Sequence, residues 1–305
     1  MDLSVIVPVY NEQDNLLKLY EETIGAVDGK FAFEIIFIDD GSSDSSAQML
    51  KELQSKDDRV RVILLRRNFG QTAAMSAGFD HAGGEIIVPL DGDGQNDPAD
   101  IPKLIDKLNE GFDIVSGWRK DRKDKAVTRK IPSKIANWII GKMTGIKLHD
   151  YGCSLKAYRS DVLKSIRLYG EMHRFIPALA SWSGANITEM PVNHRPRTAG
   201  VAKYGLERIV KVVLDLMTVK FLGSYATKPI YIFGGLGILS GIGSTVSGLA
   251  VLYLKYISPQ HLAMNRNPLL ILAAISFLAT IQFILMGLLA EMVVRTYHES
   301  QDRPI

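Results

Sequence analysis

The sequence lacks the signatures of several protein classes. Its 305 residues include one cysteine, Cys153, so an internal disulfide is excluded and a reducing compartment is expected. The net charge of +3 is too mild to indicate nucleic-acid binding. No basic segment precedes the first apolar run, so we expect no cleaved signal peptide. G-x-G-x-x-G is missing after the first predicted strand and G-x-x-x-x-G-K-[ST] is missing throughout, which disfavours dehydrogenases and P-loop nucleotide hydrolases.

Charge is nearly absent from the last quarter of the chain. Residues 229–254 and 267–290 form two uncharged runs, and each exceeds the ~20 residues that span a bilayer. Two transmembrane helices are therefore predicted, joined by a short external loop at 255–266, because a buried core helix is seldom this long. Basic residues lie before the first run and after the second. The positive-inside rule therefore predicts that both termini and the catalytic domain are cytoplasmic.

The first 90 residues alternate between short β-branched runs and amphipathic segments. Helices are predicted at 15–27, from 42–44 through 53, and at 71–82. This alternation predicts an α/β fold with a mostly parallel, doubly wound sheet. The strands are predicted at residues 4–10, 33–38, 60–65 and 85–90.

Polar clusters follow all four predicted strands. They lie at residues 10–12, 39–40, 68–70 and 91–95. Ligands of doubly wound sheets bind beyond the carboxyl ends of the strands. We therefore expect the four clusters to meet at one edge and to form a binding site.

Asp91 and Asp93 end the fourth strand with glycines between and after them. Neighbouring carboxylates repel each other, so a site that keeps both ionised usually supplies a cation. Hard oxygen ligands suit Mg²⁺ or Mn²⁺. An ordinary surface turn is the alternative, since Asp-Gly is also a turn signal.

The motifs together resemble glycosyltransferase family 2, whose fold is GT-A. Within it the chain is similar to polyprenyl-phosphate sugar transferases, such as the bacterial undecaprenyl-phosphate glucosyltransferases and dolichyl-phosphate mannose synthase. Gly92 stands where alanine is common in the D-x-D triplet. The motifs that carry the resemblance are VIVPVYNE at 5–12, IDDGSSD at 38–44, RNFG at 67–70 and DGD at 91–93.

The resemblance implies a donor site at this edge. Asp91, Asp93 and Gln95 would hold Mg²⁺ or Mn²⁺ and the diphosphate, with Asp93 catalytic. Asp40 would meet the edge of the base, which stacks near a tyrosine. The side chains implied in nucleotide-sugar binding are Pro8, Tyr10, Glu12, Asp40, Phe69, Gly70, Asp91 and Gln95.

The resemblance also implies an acceptor side. Asp150 corresponds to the family's acceptor-side aspartate, which either takes a proton or positions the acceptor. His173 and Arg174 fit the family's helix facing the sugar. The basic run 119–134 suits an acceptor phosphate or an anionic membrane surface, although a solvated loop is the usual fate of such runs. The cations proposed for the acceptor phosphate are Arg119, Arg129, Arg195, Arg197 and Lys203.

Arg195, Arg197 and Lys203 belong to a segment that resembles R-x-R-x-x-G-x-S-K-Y, with Ala202 at the serine position. They precede an apolar stripe over 206–221 that predicts a helix in the membrane interface. Anchoring to anionic lipid is therefore the alternative role of the three cations. A short helix at 134–143 is also predicted near the membrane.

The predicted function is inverting, metal-dependent transfer of glucose from UDP-glucose to undecaprenyl phosphate. GDP-mannose with dolichyl phosphate is the second enzyme reading, and a catalytically silent membrane protein is the alternative from another class. A processive synthase is disfavoured because Q-x-x-R-W is missing. A homo-oligomer, the sugar and the prenol length are left open. The predicted domains are 1–204 (catalytic), 205–228 (interfacial), 229–254 and 267–290 (spans), 255–266 (external loop) and 291–305 (cytoplasmic tail).

Overall fold

The computed structural model contains two compact units, Met1–Val219 and Lys220–Ile305. The structure describes residues 1–120, 137–138, 140–142, 144–164, 166, 168, 170, 172–196, 214–219, 221, 228–258 and 263–300, without the side chains of 265 and 297–300.

The first unit is built on a seven-stranded sheet with the order β3-β2-β1-β4-β6-β5-β7. Strands β1 to β4 pair in parallel, β6 is antiparallel to both β4 and β5, and β7 is parallel to β5. The prediction of a mostly parallel α/β sheet is confirmed. The strands are β1 Leu3–Val9, β2 Phe33–Asp39, β3 Val60–Leu64, β4 Ile86–Pro89, β5 Ile114–Trp118, β6 Lys156–Arg159 and β7 Ile187–Pro191.

Helices cover both faces of this sheet, as a doubly wound fold requires. Apolar residues of α1, α2 and α4 pack on one face, and those of α3, α5 and α6 pack on the other. Each helix has polar residues on its outer side, so burial of its apolar stripe fixes which face it covers. The helices of this unit are α1 Gln13–Val27, α2 Ser46–Lys56, α3 Gln71–His81, α4 Ile101–Leu108, α5 Ser160–Lys164 and α6 Ile176–Trp182.

Helix α3 lies unusually close to the sheet because Gly78 faces it. A Cβ at Gly78 would collide with the side chains of Ile6 and Ile38, on β1 and β2. The absence of a side chain therefore lets the helix backbone rest on the strands. This contact fixes α3 and its first residue, Gln71, relative to the strand ends.

The second unit contains two long apolar helices, α7 Ile230–Tyr256 and α8 Pro268–Ser300. Both are long and apolar enough to cross a membrane, and little of their apolar surface is covered within the protein. A Cβ at Gly237 would lie 3.1 Å from Ile284, so the helices approach closely, as small residues allow in membrane helix pairs. Helix α8 passes the predicted end at residue 290, and the i,i+4 ion pair between Arg295 and Glu291 (3.4 Å) supports its last turns.

Candidate active site

The predicted polar clusters meet at one edge of the sheet. Strands β1, β2, β3 and β4 run in parallel and end there, so the residues that follow each strand lie along the same border. Strand β5 ends at the same border, which brings Arg119 there. Strand β6 is antiparallel, so the loop before it, residues 150–155, joins the edge from the opposite chain direction.

Asp91 is held on both of its carboxylate oxygens. Gln71 at the start of α3 donates from Nε2 to Oδ1 at 2.8 Å, and the Ser154 hydroxyl donates to Oδ2. Asp93 accepts the backbone N–H of Gln95 at 3.1 Å through Oδ1. Each carboxylate oxygen has a second lone pair. The two aspartates are therefore oriented by the protein and keep acceptor capacity for a ligand.

The carboxylate pair has the electrostatics of a cation site. Burial and the nearby charge of Asp93 raise the pKa of Asp91, against the opposing effects of Ser154, Arg119 and Arg174. A divalent cation would relieve that repulsion. Among the described residues, no three His, Cys, Asp or Glu side chains group to hold a metal. Two carboxylates completed by substrate phosphates are a usual arrangement for Mg²⁺, so the residues present fit such an ion.

Asp40 organises the loop between β3 and α3. Its carboxylate accepts the backbone N–H of Phe69 at 2.7 Å and that of Gly70 at 2.9 Å. Gly41 follows with a φ of +70°, and a Cβ there would lie 2.5 Å from the backbone carbon of Arg67. The end of β2 and this loop therefore lock together. Whether Asp40 also meets a base edge, as the resemblance implies, stays a prediction.

The end of β1 lies beside the carboxylate loop. A Cβ on Gly92 would stand 3.1 Å from the carbonyl oxygen of Pro8 and 3.8 Å from the Glu12 side chain. Glu12 in turn accepts a hydrogen bond from Asn15 at 2.8 Å. Tyr10 lies between Pro8 and Glu12 in the chain and is half-buried. Pro8 and Glu12 are thus neighbours of the Asp-Gly-Asp turn.

Arg119 and Asp150 form a two-point ion pair. Nε of Arg119 lies 2.6 Å from Oδ2, and Nη2 lies 2.9 Å from Oδ1. Burial would lower the pKa of Arg119, but the hydrogen bonds and charge of Asp150 raise it further above its usual value. The loop that carries Asp150 also reaches the carboxylate site, because Ser154 on the same loop donates to Asp91.

Of the other predicted acceptor cations, the structure describes Arg195 alone. Arg129, Arg197 and Lys203 lie outside the described residues. The guanidinium of Arg195 pairs with Glu22 and Asp97, at 2.6 and 2.7 Å. Its two terminal nitrogens are therefore already engaged with carboxylates of the protein.

Several residues of the site were missed by the sequence reasoning. Gln71 and Ser154 orient Asp91, and neither carries a motif of its own. Lys156 is buried at the start of β6 and donates to the backbone oxygens of Tyr151 and Cys153, which fixes the loop that presents Ser154. Burial lowers the pKa of Lys156. The sequence carries no clear signal for this role, because Lys156 is the first residue of a short strand that also ends in an arginine.

His173 contacts helix α3 close to Gln71. Its Nδ1 lies 2.6 Å from the hydroxyl of Thr72, next to Gln71. Burial, with the positive charges of Arg174 and Lys156, lowers the pKa of His173 to about 3. The imidazole is therefore neutral at physiological pH and serves as a hydrogen-bonding partner rather than a cation.

A mixed α/β sheet with paired aspartates at the ligand edge defines a GT-A-type sugar-nucleotide transferase. The model of glycosyl transferase family 2 matches residues 4–167, and the chain belongs to that family. It is an enzyme of the glycosyltransferase class. Two long apolar helices and the lipid-phosphate acceptors in its relatives' names identify it as a membrane protein.

The relatives that match over nearly the whole chain include two enzymes named for polyprenyl phosphates. Dodecaprenyl-phosphate galacturonate synthase of Rhizobium johnstonii is 42% identical, over 100% of this chain and 91% of that protein. Undecaprenyl-phosphate 4-deoxy-4-formamido-L-arabinose transferase of Edwardsiella ictaluri is 39% identical, over 99% of this chain and 91% of that protein. The chain is therefore a relative of polyprenyl-phosphate sugar transferases, as the resemblance implied.

Solved structures agree on the fold. Glucosyl-3-phosphoglycerate synthase from Mycobacterium tuberculosis, in complex with Mn²⁺, UDP and phosphoglyceric acid, superposes with a TM-score of 0.56 at 16% identity. The match covers 73% of this chain and 78% of that one. At this identity the likeness concerns the fold alone, and it confirms the predicted GT-A architecture.

Proposed function

We propose that this protein transfers a sugar, with inversion, from a nucleotide sugar to the phosphate of a membrane polyprenol. One observation carries the proposal: Asp91 and Asp93 stand at the ligand edge of a GT-A sheet, with Asp91 oriented by Gln71 and Ser154. The names of the two relatives described above support a polyprenyl-phosphate acceptor. Undecaprenyl phosphate is the acceptor that we predict for this chain.

Asp91, Asp93 and Gln95 are the residues that would hold the metal ion. Mg²⁺ or Mn²⁺ would supply positive charge that neutralises the diphosphate leaving group. The family likeness and the Mn²⁺–UDP complex of the structural neighbour support a divalent ion in general.

The remaining groups bind and orient the two substrates. Pro8, Tyr10, Glu12 and Asp40 line the place proposed for the nucleoside. The acceptor is a phosphate monoester with a second pKa of about 6, so it is largely ionised at neutral pH. A strong general base is therefore unnecessary. We assign Arg119 to orient the phosphate oxygens through the guanidinium donors that do not face Asp150.

The identity of the sugar needs its own proposal. UDP-glucose was predicted from the sequence, but neither relative is named for glucose. We take UDP-galacturonate as the first donor to test, because the galacturonate synthase is 42% identical over the whole chain. GDP-mannose is the more distant alternative.

The proposed location is the cytoplasmic membrane, with the catalytic unit and both termini in the cytoplasm. The observation in favour is the distribution of lysine and arginine outside the two apolar helices. Helices α7 and α8 would bring the enzyme to the membrane that contains its acceptor. The segments at 134–143 and 206–221 are proposed to lie in the interface.

A transfer assay with membranes that contain the protein and a panel of radiolabelled donors tests the proposal. UDP-galacturonate, UDP-glucose, UDP-4-deoxy-4-formamido-L-arabinose and GDP-mannose would each be incubated with undecaprenyl phosphate and Mg²⁺ or Mn²⁺. Label should enter the extracted lipid from one of them, and EDTA should stop it. Membranes with the Asp93→Asn variant provide the matched control. No lipid labelling with any donor, together with retained UDP binding, would favour a silent binding protein.

A further inference from the structure

Residues 193–195 run alongside the carboxylate loop and are tied to it by the backbone. Asn96 and His194 form an antiparallel bridge. The backbone N–H of Arg195 donates to the carbonyl oxygen of Gln95 at 2.8 Å. Nε2 of Gln95 lies 3.5 Å from the carbonyl oxygen of Arg195, a long contact in the return direction. The backbone of Arg195 thus contacts both the backbone carbonyl and the side-chain amide of Gln95.

The Arg195 side chain ties the same loop to helix α1. Nη1 lies 2.6 Å from Oε2 of Glu22, and Nη2 lies 2.7 Å from Oδ1 of Asp97. The other oxygen of Asp97 accepts from Nδ2 of Asn193 at 2.9 Å. The Asp97 side chain is 13% exposed and that of Arg195 is 33% exposed, so this ion pair is partly shielded from solvent.

We infer that Arg195 is a positioning residue of the metal site, which fixes the chain from Gln95 to Asp97, and is not a ligand of the acceptor phosphate. The inference rests on the proposed metal-dependent function. It revises the role that the sequence motif suggested for this arginine. A phosphate at Arg195 would have to compete with two carboxylates, and both would repel it.

We call the contacts of Arg195 with Gln95, Glu22 and Asp97 the clamp. The orientation of the Gln95 amide links this clamp to the proposed metal site. A carbonyl oxygen only accepts hydrogen bonds, so the amide must turn its NH₂ group towards Arg195. We expect Oε1 to be the atom that Gln95 offers as a hard oxygen ligand beside Asp93. If the clamp opens, the amide loses that orientation and the loop after Asp93 loses its second anchor, although Asp91 keeps Gln71 and Ser154.

Direct binding of Mn²⁺ in the presence of UDP provides a readout that is independent of transfer. Full-length protein in detergent would be titrated with Mn²⁺ and followed by electron paramagnetic resonance. Arg195→Ala should weaken Mn²⁺ binding about tenfold, the order seen when supporting contacts around metal ligands are removed. Asp97→Asn should give a similar loss, and the double variant should lose little more, because both remove one ion pair.

Three further variants make the experiment specific. Glu22→Gln removes the α1 partner while Asp97 stays in place, so it should weaken Mn²⁺ binding less than Arg195→Ala. Arg195→Lys should restore part of the affinity. Arg197→Ala is expected to raise the KM for undecaprenyl phosphate and to leave Mn²⁺–UDP binding unchanged.

The opposite result for Arg195→Ala would overturn the inference: an unchanged Mn²⁺ titration with a raised KM for undecaprenyl phosphate. A lower melting temperature with unchanged Mn²⁺ binding would also overturn it, by reducing Arg195 to a stabilising contact. If the wild type binds Mn²⁺ and UDP but transfers no sugar, the proposed function fails while the clamp remains measurable.

Discussion

Arg119 and Asp150 form a bidentate ion pair, with Nε to Oδ2 at 2.6 Å and Nη2 to Oδ1 at 2.9 Å. Both side chains are largely buried. Both carboxylate oxygens of Asp150 are therefore engaged as acceptors of the Arg119 guanidinium. Asp150 also accepts the backbone N–H of Gly152 at 3.1 Å. The arrangement favours a positioning role, in which Asp150 holds Arg119 towards the acceptor phosphate.

Replacing Asp150 by Asn separates the two roles left open by the sequence. The variant keeps the shape of the carboxylate but loses the charge that holds Arg119, so KM for undecaprenyl phosphate should rise about tenfold, as expected for a lost charge-assisted contact. The pH profile of kcat should keep its shape. Disappearance of its acidic limb in Asp150→Asn would instead identify Asp150 as the general base.

Asp93→Asn should abolish transfer and leave the protein folded. The change removes one of the two carboxylates proposed for the cation while the apolar core is untouched. Lipid labelling and the melting temperature measure the two effects on the same preparation. Full transfer by this variant after EDTA treatment would eliminate the metal mechanism.

Cysteine labelling in intact cells tests the proposed topology. Ile257 follows α7 and is 69% exposed, whereas its neighbour Ser258 is 8% exposed, so Ile257→Cys is the better probe of the external loop. The natural Cys153 is 1% exposed and provides a silent background. An impermeant thiol reagent should label Ile257→Cys and spare Ser300→Cys. Labelling of Ser300→Cys alone would place the catalytic unit outside.

His173 should make stability fall in mild acid. Its pKa is lowered from 6.5 to about 3 in the folded protein, chiefly by burial, so the unfolded chain binds the proton more readily. The stabilisation is complete above pH 6.5 and declines as the pH falls towards 3, by up to about 1.4 kcal/mol per pH unit. His173→Asn should lack this dependence. Melting temperatures of the two proteins between pH 7.5 and 5 should converge; parallel curves would argue against a buried neutral imidazole.

The predictable part of the site is the part that strand direction determines. Parallel strands end at one border, so Asp40 and Asp91 could be placed together from the sequence alone. Periodicity could not reveal that β6 runs antiparallel and brings Ser154 to Asp91 across 63 residues. A strand pattern specifies which residues alternate, and it carries no information about the direction of the neighbouring strand.

The role of Arg195 shows the same limit for motifs. Two arginines near a lysine indicate a phosphate site, because their charge and spacing suit one. The partner that engages Arg195 is Glu22, 173 residues earlier in the chain. A local pattern cannot show that a distant carboxylate already occupies the guanidinium. The role of Arg195 therefore depends on a tertiary contact that the local sequence does not show.

Gly41 has a consequence for inherited variation in this protein. Its backbone lies in the left-handed region at φ +70°, and a side chain would press on the backbone of Arg67, which cannot swing aside as a flexible side-chain tip could. Every missense change at this codon adds at least one carbon atom at that point, alanine included. Populations that need the enzyme should therefore tolerate synonymous changes at codon 41 and eliminate amino-acid changes there.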